Sequence, residues 1–196
     1  MGVYKYIQQL WKQPKKNMPE LWKERLIQWR REEVSVRIRR PTRLDKARAL
    51  GYKAKQGYIL VRQRVKRGGH RREKPSGGRR PKKFSTRVDL NISYQVVAEQ
   101  RANKKYTNCE VLNSYYVAKD GLYFWYEIIL LDKTSPVIKK DHRTKWVTEK
   151  QHKGRVNRGL TSAGKRARGL LGKGKGHEKM RPSQSAAYRR KANKKP

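Results

Sequence analysis

An α+β fold is predicted here: a small antiparallel sheet in β-α-β-β order, with N-terminal helices, a long basic loop and a basic C-terminal extension. Three observations point to it. Residues 58–65, 110–118 and 122–131 are rich in Val, Ile, Tyr and Trp and read as strands. The last two are joined by Lys119-Asp120-Gly121, whose Asp-Gly pair is expected to supply the positive φ values of a tight hairpin. A helical pattern over 92–103, with Asn91 or Ser93 as its cap, separates them from the first strand.

Taken in order, Val3, Ile7, Leu10 and Trp11 recur at helical spacing, and Pro14 and Pro19 bracket a turn before a second helix. Trp22, Leu26 and Trp29 share one face of that helix while Lys23, Arg30 and Arg31 lie off it. A stripe at this spacing reads as packing in preference to base stacking. Val34, Val36 and Ile38 alternate with Ser35, Arg37 and Arg39, and period alone does not decide between a helix end and an extended stretch. Thr42, with Asp45 three residues on, resembles a capping box for a short helix over 43–50 that Gly51 would close. In the first strand Ile59, Val61 and Val65 face one side and Arg62 and Arg64 the other. Trp146-Val147-Thr148 is expected to add an edge strand, and residues 162–169 a short helix. The division expected is a helical basic segment over 1–57, a core over 58–149 interrupted by a basic loop at 66–87, and a basic extension over 150–196.

Charge sets the class of partner. The 196 residues hold 53 Lys and Arg against 15 Asp and Glu, a net charge of +38. Residues 1–61, 62–87 and 150–196 carry net charges of +11, +11 and +15, whereas residues 88–149 carry only +1. Only the last can behave as an ordinary core; the others repel themselves unless a polyanion lies against them. Hydrophobic residues reach 35%, below the ~45–50% usual for globular chains, so a small core with long arms ordered by the partner is expected. A nucleic-acid backbone, with about one charge per ~1.7 Å of duplex axis, is the best match.

Other classes find little support. No run approaches the ~18 apolar residues of a membrane span, the start lacks a secretion signal, and the charge is not set on one amphipathic helix. An intracellular protein with no membrane partner is expected. The single Cys109 excludes an intrachain disulfide and a four-Cys zinc site, and reads as a packed strand residue. His70, His142, His152 and His177 lack metal-pair spacing, so no metal is expected. Gly172-Lys173-Gly174-Lys175-Gly176 lacks the spacing and terminal Lys-Ser/Thr of a phosphate loop. Gly57-Tyr58-Ile59 lacks the second aromatics of an RNA-recognition strand. Asp89, Glu99, Glu110, Glu127, Asp132 and Asp141 form no paired-carboxylate motif, and no nucleophile-base arrangement stands out. The chain reads as no enzyme, with no cofactor and no small-molecule substrate. A DNA-compacting or chromatin protein is the alternative that composition allows, but no helix-turn-helix, zinc finger or dimer-forming heptad supports it.

The stretch from Pro41-Thr42-Arg43-Leu44-Asp45-Lys46-Ala47-Arg48-Ala49-Leu50 through Gly51-Tyr52-Lys53-Ala54-Lys55-Gln56-Gly57-Tyr58 resembles the hallmark of the large-subunit ribosomal protein family fifteen-e. The opening Met1-Gly2-Val3-Tyr4-Lys5-Tyr6-Ile7-Gln8, the strand Val111-Leu112-Asn113-Ser114-Tyr115 and Arg158-Gly159-Leu160-Thr161-Ser162-Ala163-Gly164 are similar to its pattern too. The resemblance is closer to archaeal than to eukaryotic members; departures lie in residues 13–40, the 73–87 loop and the tail. It implies a non-catalytic component of the cytoplasmic ribosome, bound to large-subunit rRNA and neighbouring large-subunit proteins.

The residues expected to meet RNA lie on three stretches. Arg43, Lys46, Arg48, Lys53 and Lys55 precede the first strand. Arg62, Arg64, Lys66, Arg67, His70, Arg71, Arg72, Arg79, Arg80, Lys82 and Lys83 follow along it and the loop. Lys153, Arg155, Arg158, Lys165, Arg166, Arg168, Lys173, Lys175, Arg189 and Arg190 occupy the extension. Arg offers a planar, multi-donor fork to phosphates, and Gly68, Gly69, Gly77 and Gly78 allow close backbone approach. Tyr52, Tyr58 and Trp146 are candidate stacking residues.

Overall fold

In the computed structural model, which describes residues 2–69, 77–78 and 92–193, the N-terminal apolar pattern forms helix α1 (Val3–Leu10). Pro14 and Pro19 each open a further helix, α2 (Pro14–Asn17) and α3 (Pro19–Arg31). Proline suits a first helical position because the N–H it lacks would find no acceptor within the helix. The turn expected between the prolines is therefore itself a turn of helix. Trp22 and Trp29 of α3 are buried, and Trp11 meets Trp22 edge-on at 5.9 Å. The tryptophan stripe is packing.

The undecided stretch after α3 is a strand, β1 (Ser35–Ile38). Then come α4 (Leu44–Ala49), β2 (Tyr58–Lys66), α5 (Tyr94–Lys105), β3 (Cys109–Lys119) and β4 (Tyr123–Asp132). Among the described residues these strands form one antiparallel four-stranded sheet, in the order β1-β2-β4-β3. Both faces are covered. Val61, Val65, Val111, Ile128 and Leu130 pack on Ala98 and Ala102 of α5. Leu60, Tyr115, Trp125 and Ile129 pack on Trp22, Trp29 and Ala47 of α3 and α4. A central strand buried on two sides needs no polar alternation, which is why Tyr123–Asp132 runs almost unbroken in apolar residues.

β3 has irregularities between Val111 and Asn113 and between Tyr116 and Ala118. One inserted residue inverts the facing of all that follow. Val111 and Tyr115, which strict alternation would put on one face, accordingly lie in opposite clusters.

Three local expectations are corrected. Gly121 does not adopt positive φ; instead the Asp120 carboxylate accepts from the Leu122 and Tyr123 N–H groups at 2.8 and 2.5 Å, an Asx-type turn. Thr42 does not cap α4, which begins after Arg43 with no side-chain cap. Trp146-Val147-Thr148 lies in a 3-10 turn, Lys145–Thr148, not an edge strand. There Val147 is buried against Ile138 of α6 (Pro136–Lys140) and Leu131, and the half-buried Trp146 packs on the same cluster.

Ser93 does cap α5, accepting from the Val96 N–H. Beyond the sheet lie a second 3-10 turn (Lys150–His152), α7 (Ser162–Ala167), a third (Glu178–Met180) and α8 (Gln184–Ala192). The sequence pattern did not suggest α8; Ser183 caps it by accepting from the Ala186 N–H at 3.2 Å.

Candidate nucleic-acid interface

Three acids scattered in sequence act alike in the fold: each lies on or against the sheet and holds a basic stretch to it. Glu127 is fully buried on β4 and accepts from the Thr42 N–H at 3.0 Å, the Thr42 hydroxyl and the Tyr115 hydroxyl at 2.5 Å. Glu99 of α5 accepts from the Ser114 and Thr161 hydroxyls at 2.5 and 2.6 Å. Glu110 of β3 accepts from the Gly154 N–H at 2.9 Å and from Lys133 at 3.2 Å. Burial pushes the carboxyls of Glu99 and Glu127 above their ordinary range, and the hydroxyl hydrogen bonds work in the opposite direction.

The Thr161 hydroxyl has a second role, accepting from the Gly164 N–H at 3.1 Å to cap α7. The backbone doubles back so tightly that a Cβ on Gly164 would lie 2.7 Å from the Gly159 Cα. Gly159 itself has φ +65°, the left-handed region that glycine enters without steric cost. The segment resembling a family motif is thus a geometric necessity for docking the extension.

The cations expected at RNA differ in exposure and in what they touch. Lys46, Lys55, Lys66, Lys153, Lys165, Arg166, Lys173, Lys175 and Arg189 are exposed. Arg48, Arg67, Arg158, Arg168 and Arg190 are exposed but also donate to the protein: Arg48 to the Tyr4 hydroxyl, the others to backbone carbonyls. Arg43, Lys53 and Arg64 are half-buried. Arg43 and Lys53 pair with Asp45 and Asp141 at 3.2 and 2.8 Å, and Arg64 donates to the Arg30 carbonyl at 2.5 Å.

Arg62 and Arg155 are each only 9% exposed and turned to the protein. Arg62 reaches Glu32 at 2.6 Å and lies 4.6 Å from the centre of the Trp29 ring. Arg155 donates to the Val111, Leu112 and Leu160 carbonyls at 2.7, 3.3 and 3.3 Å. His70, Arg71, Arg72, Arg79, Arg80, Lys82 and Lys83 lie outside the described residues.

The stacking candidates also have protein neighbours. Tyr52 and Tyr58 meet edge-on at 6.1 Å, while Trp146 lies against His152 and under Arg155 at 4.8 and 4.9 Å.

A basic groove of about 840 Å³ was not anticipated as a site. Trp11, Trp22 and Tyr116 line it together with Lys12, Lys15, Lys16 and Lys119. The only signal for it in the sequence was Lys12, Lys15 and Lys16 clustering around Pro14.

Comparison with known proteins completes the picture. The family described as Ribosomal L15 matches residues 2–187. The chain is 52% identical over 191 residues to the large ribosomal subunit protein eL15 of Methanocella arvoryzae, covering 96% of this chain and 97% of that protein.

Proposed function

The chain belongs to the ribosomal L15e family, and on that basis we propose how its parts divide the work of binding rRNA. It is a structural, non-catalytic protein of the large ribosomal subunit that binds ribosomal RNA. The sheet with its two helical layers acts as the platform. The stretch over 41–57, the loop over 66–87 and the extension from 150 onward reach into clefts of the folded RNA and neutralise phosphates where helices converge. Recognition is of shape and backbone, because an A-form duplex hides its base edges in a deep, narrow groove. Neighbouring large-subunit proteins complete the surroundings, and the cytoplasmic ribosome is the place of action.

The observation that carries this division is the placement of exposed cations such as Lys46, Lys55, Lys165 and Arg166 on stretches that Glu127, Glu110 and Glu99 hold to the sheet. Sedimentation through a sucrose gradient at moderate salt tests it. The protein is expected to travel with the large subunit; migration with the small subunit or with free protein would refute the assignment. If six to ten phosphates are met, affinity for the isolated rRNA falls roughly 10³–10⁵-fold between 50 and 200 mM salt.

A further inference from the structure

The basic groove beside Trp11 is lined from both sides, by the α1–α2 turn and α3 and by the β3–β4 hairpin. Its volume of about 840 Å³ falls within the ~300–1,000 Å³ usual for ligand sites. The acid in its lining is Asp120, and that carboxylate is already neutralised. Its Oδ1 accepts from the Leu122 and Tyr123 N–H groups and its Oδ2 from Arg30 at 2.8 Å. The arginines of the groove are committed to the protein as well: Arg30 to this carboxylate, Arg67 to the Asp120 carbonyl at 2.7 Å and Arg43 to Asp45 at 3.2 Å. Lys12, Lys15, Lys16 and Lys119 are not. All are exposed, and their ammonium groups have no hydrogen-bond or ion-pair partner among the described residues.

The groove is more than a cationic patch, because the half-buried Trp11 and Leu26 line it too. Trp22, edge-on at 5.9 Å, and the Arg43 guanidinium, 5.0 Å from the ring centre, hold Trp11 in place. Little side-chain freedom is therefore left to lose when a ligand settles against it. An occupant has to combine repeated negative charge with flat apolar surface. A duplex offers the charge but keeps its bases stacked inside, whereas an unpaired strand carries one phosphate and one open π-face on every nucleotide. We propose that this groove receives an unpaired RNA strand, a base lying against Trp11 and Leu26 and the flanking phosphates against Lys12, Lys15, Lys16 and Lys119. The proposal rests on the rRNA-binding reading and adds to it a contact from the N-terminal helices and the hairpin, outside the three basic stretches. Grooves that combine cations with aromatic rings accept bases with little regard to sequence, so no base preference is expected here.

The test uses the full chain and three probes: single-stranded decauridylate, an RNA duplex of the same length, and an acidic peptide of alternating Glu and Phe. The Trp11 indole N–H resonance reports occupancy, and Trp11→Phe, which removes that signal and no other indole, assigns it. Decauridylate is expected to shift it at concentrations where the duplex and the peptide do not. Lys15→Ala, Lys16→Ala and Lys119→Ala combined should weaken the response and lower its salt slope by roughly 0.7 for each phosphate released. These lysines are exposed, and thermal unfolding checks that the variant keeps its fold. A Trp11 signal that decauridylate does not move, or a response unchanged in the triple variant, overturns the proposal. So does a stronger response to the duplex or to the peptide. Binding of isolated large-subunit rRNA, measured in parallel, separates the two claims: rRNA retained while decauridylate leaves Trp11 unmoved removes only the groove's role, whereas rRNA not retained removes the reading beneath it.

Discussion

Residues 153–164 and 165–191 look interchangeable in sequence, both rich in Lys, Arg and Gly, yet the fold uses them in opposite ways. The first stretch is tied down at three points: Gly154 to Glu110, Arg155 to the β3 carbonyls, and Thr161 to Glu99. In the second, the single acid is Glu178, and it accepts locally, from the nearby Gly176 N–H and its own. In a chain with 15 acids against 53 bases, then, the acids mark where the backbone is fastened. Cations beside a buried carbonyl or carboxylate serve the fold; those beyond reach of one are the ones proposed for the RNA.

The largest effect bearing on this contrast is expected at Glu127. Replacing it with Leu strands the Thr42 N–H and the Tyr115 hydroxyl, and urea unfolding should show a loss of about 3 kcal/mol. Arg155→Ala comes next. It removes three hydrogen bonds to carbonyls and the stacking on the Trp146 ring, for a loss of about 2 kcal/mol. Lys165→Ala with Arg166→Ala in the neighbouring stretch should leave stability within about 0.5 kcal/mol. That pair should instead lower the salt slope of RNA binding by nearly one for each phosphate no longer neutralised. If the two sets exchanged phenotypes, the distinction between fastened and free cations would fail.

Glycines provide a smaller version of the same test. Gly164→Ala drives a methyl group into the Gly159 backbone and should cost about 1–3 kcal/mol. Gly174→Ala has open space around it and should be silent in a melting experiment.

The smallest effect is in pH. Burial raises the folded-state pKa of Glu99 and Glu127 above the ordinary 4.5. A raised carboxyl binds its proton more tightly when folded. Its stabilising contribution is therefore complete below about pH 4.5 and lost as pH rises through the folded value. The urea midpoint of the free protein should thus rise modestly between pH 7 and 5, and Glu99→Gln should flatten that rise; a midpoint that falls over this interval would contradict the assignment.

What could be read from sequence was whatever depended on neighbours a few residues away. The Trp22–Leu26–Trp29 spacing, the Ser93 cap and the two long strands of the hairpin are local patterns, and all appear in the fold. Thr42 shows the limit. Its capping-box look is local, but its partner Glu127 lies 85 residues away, and no period in the chain announces such a meeting. Trp146-Val147-Thr148 has strand composition, yet adjacent Trp146 and Val147 both pack on the cluster of Leu131 and Ile138, which a strand's alternation would not allow, and tertiary packing chose a tight turn. Arg62 and Arg155 could not be told from their exposed neighbours, because what buries them is an aromatic ring or carbonyl contributed from elsewhere. At the interface, the sequence indicated the class of partner; which cations face it depends on the sheet.

The order of the strands also bears on how the protein is made. β2 lies between β1 and β4, so during synthesis one of its edges stays unpaired until the chain has been extended through Asp132. An open, apolar edge is a template for joining another chain, and it persists here while a strongly cationic nascent polypeptide emerges beside abundant RNA. Shielding of that edge, by a chaperone or by rapid delivery to an assembling particle, is the demand this topology makes on the cell.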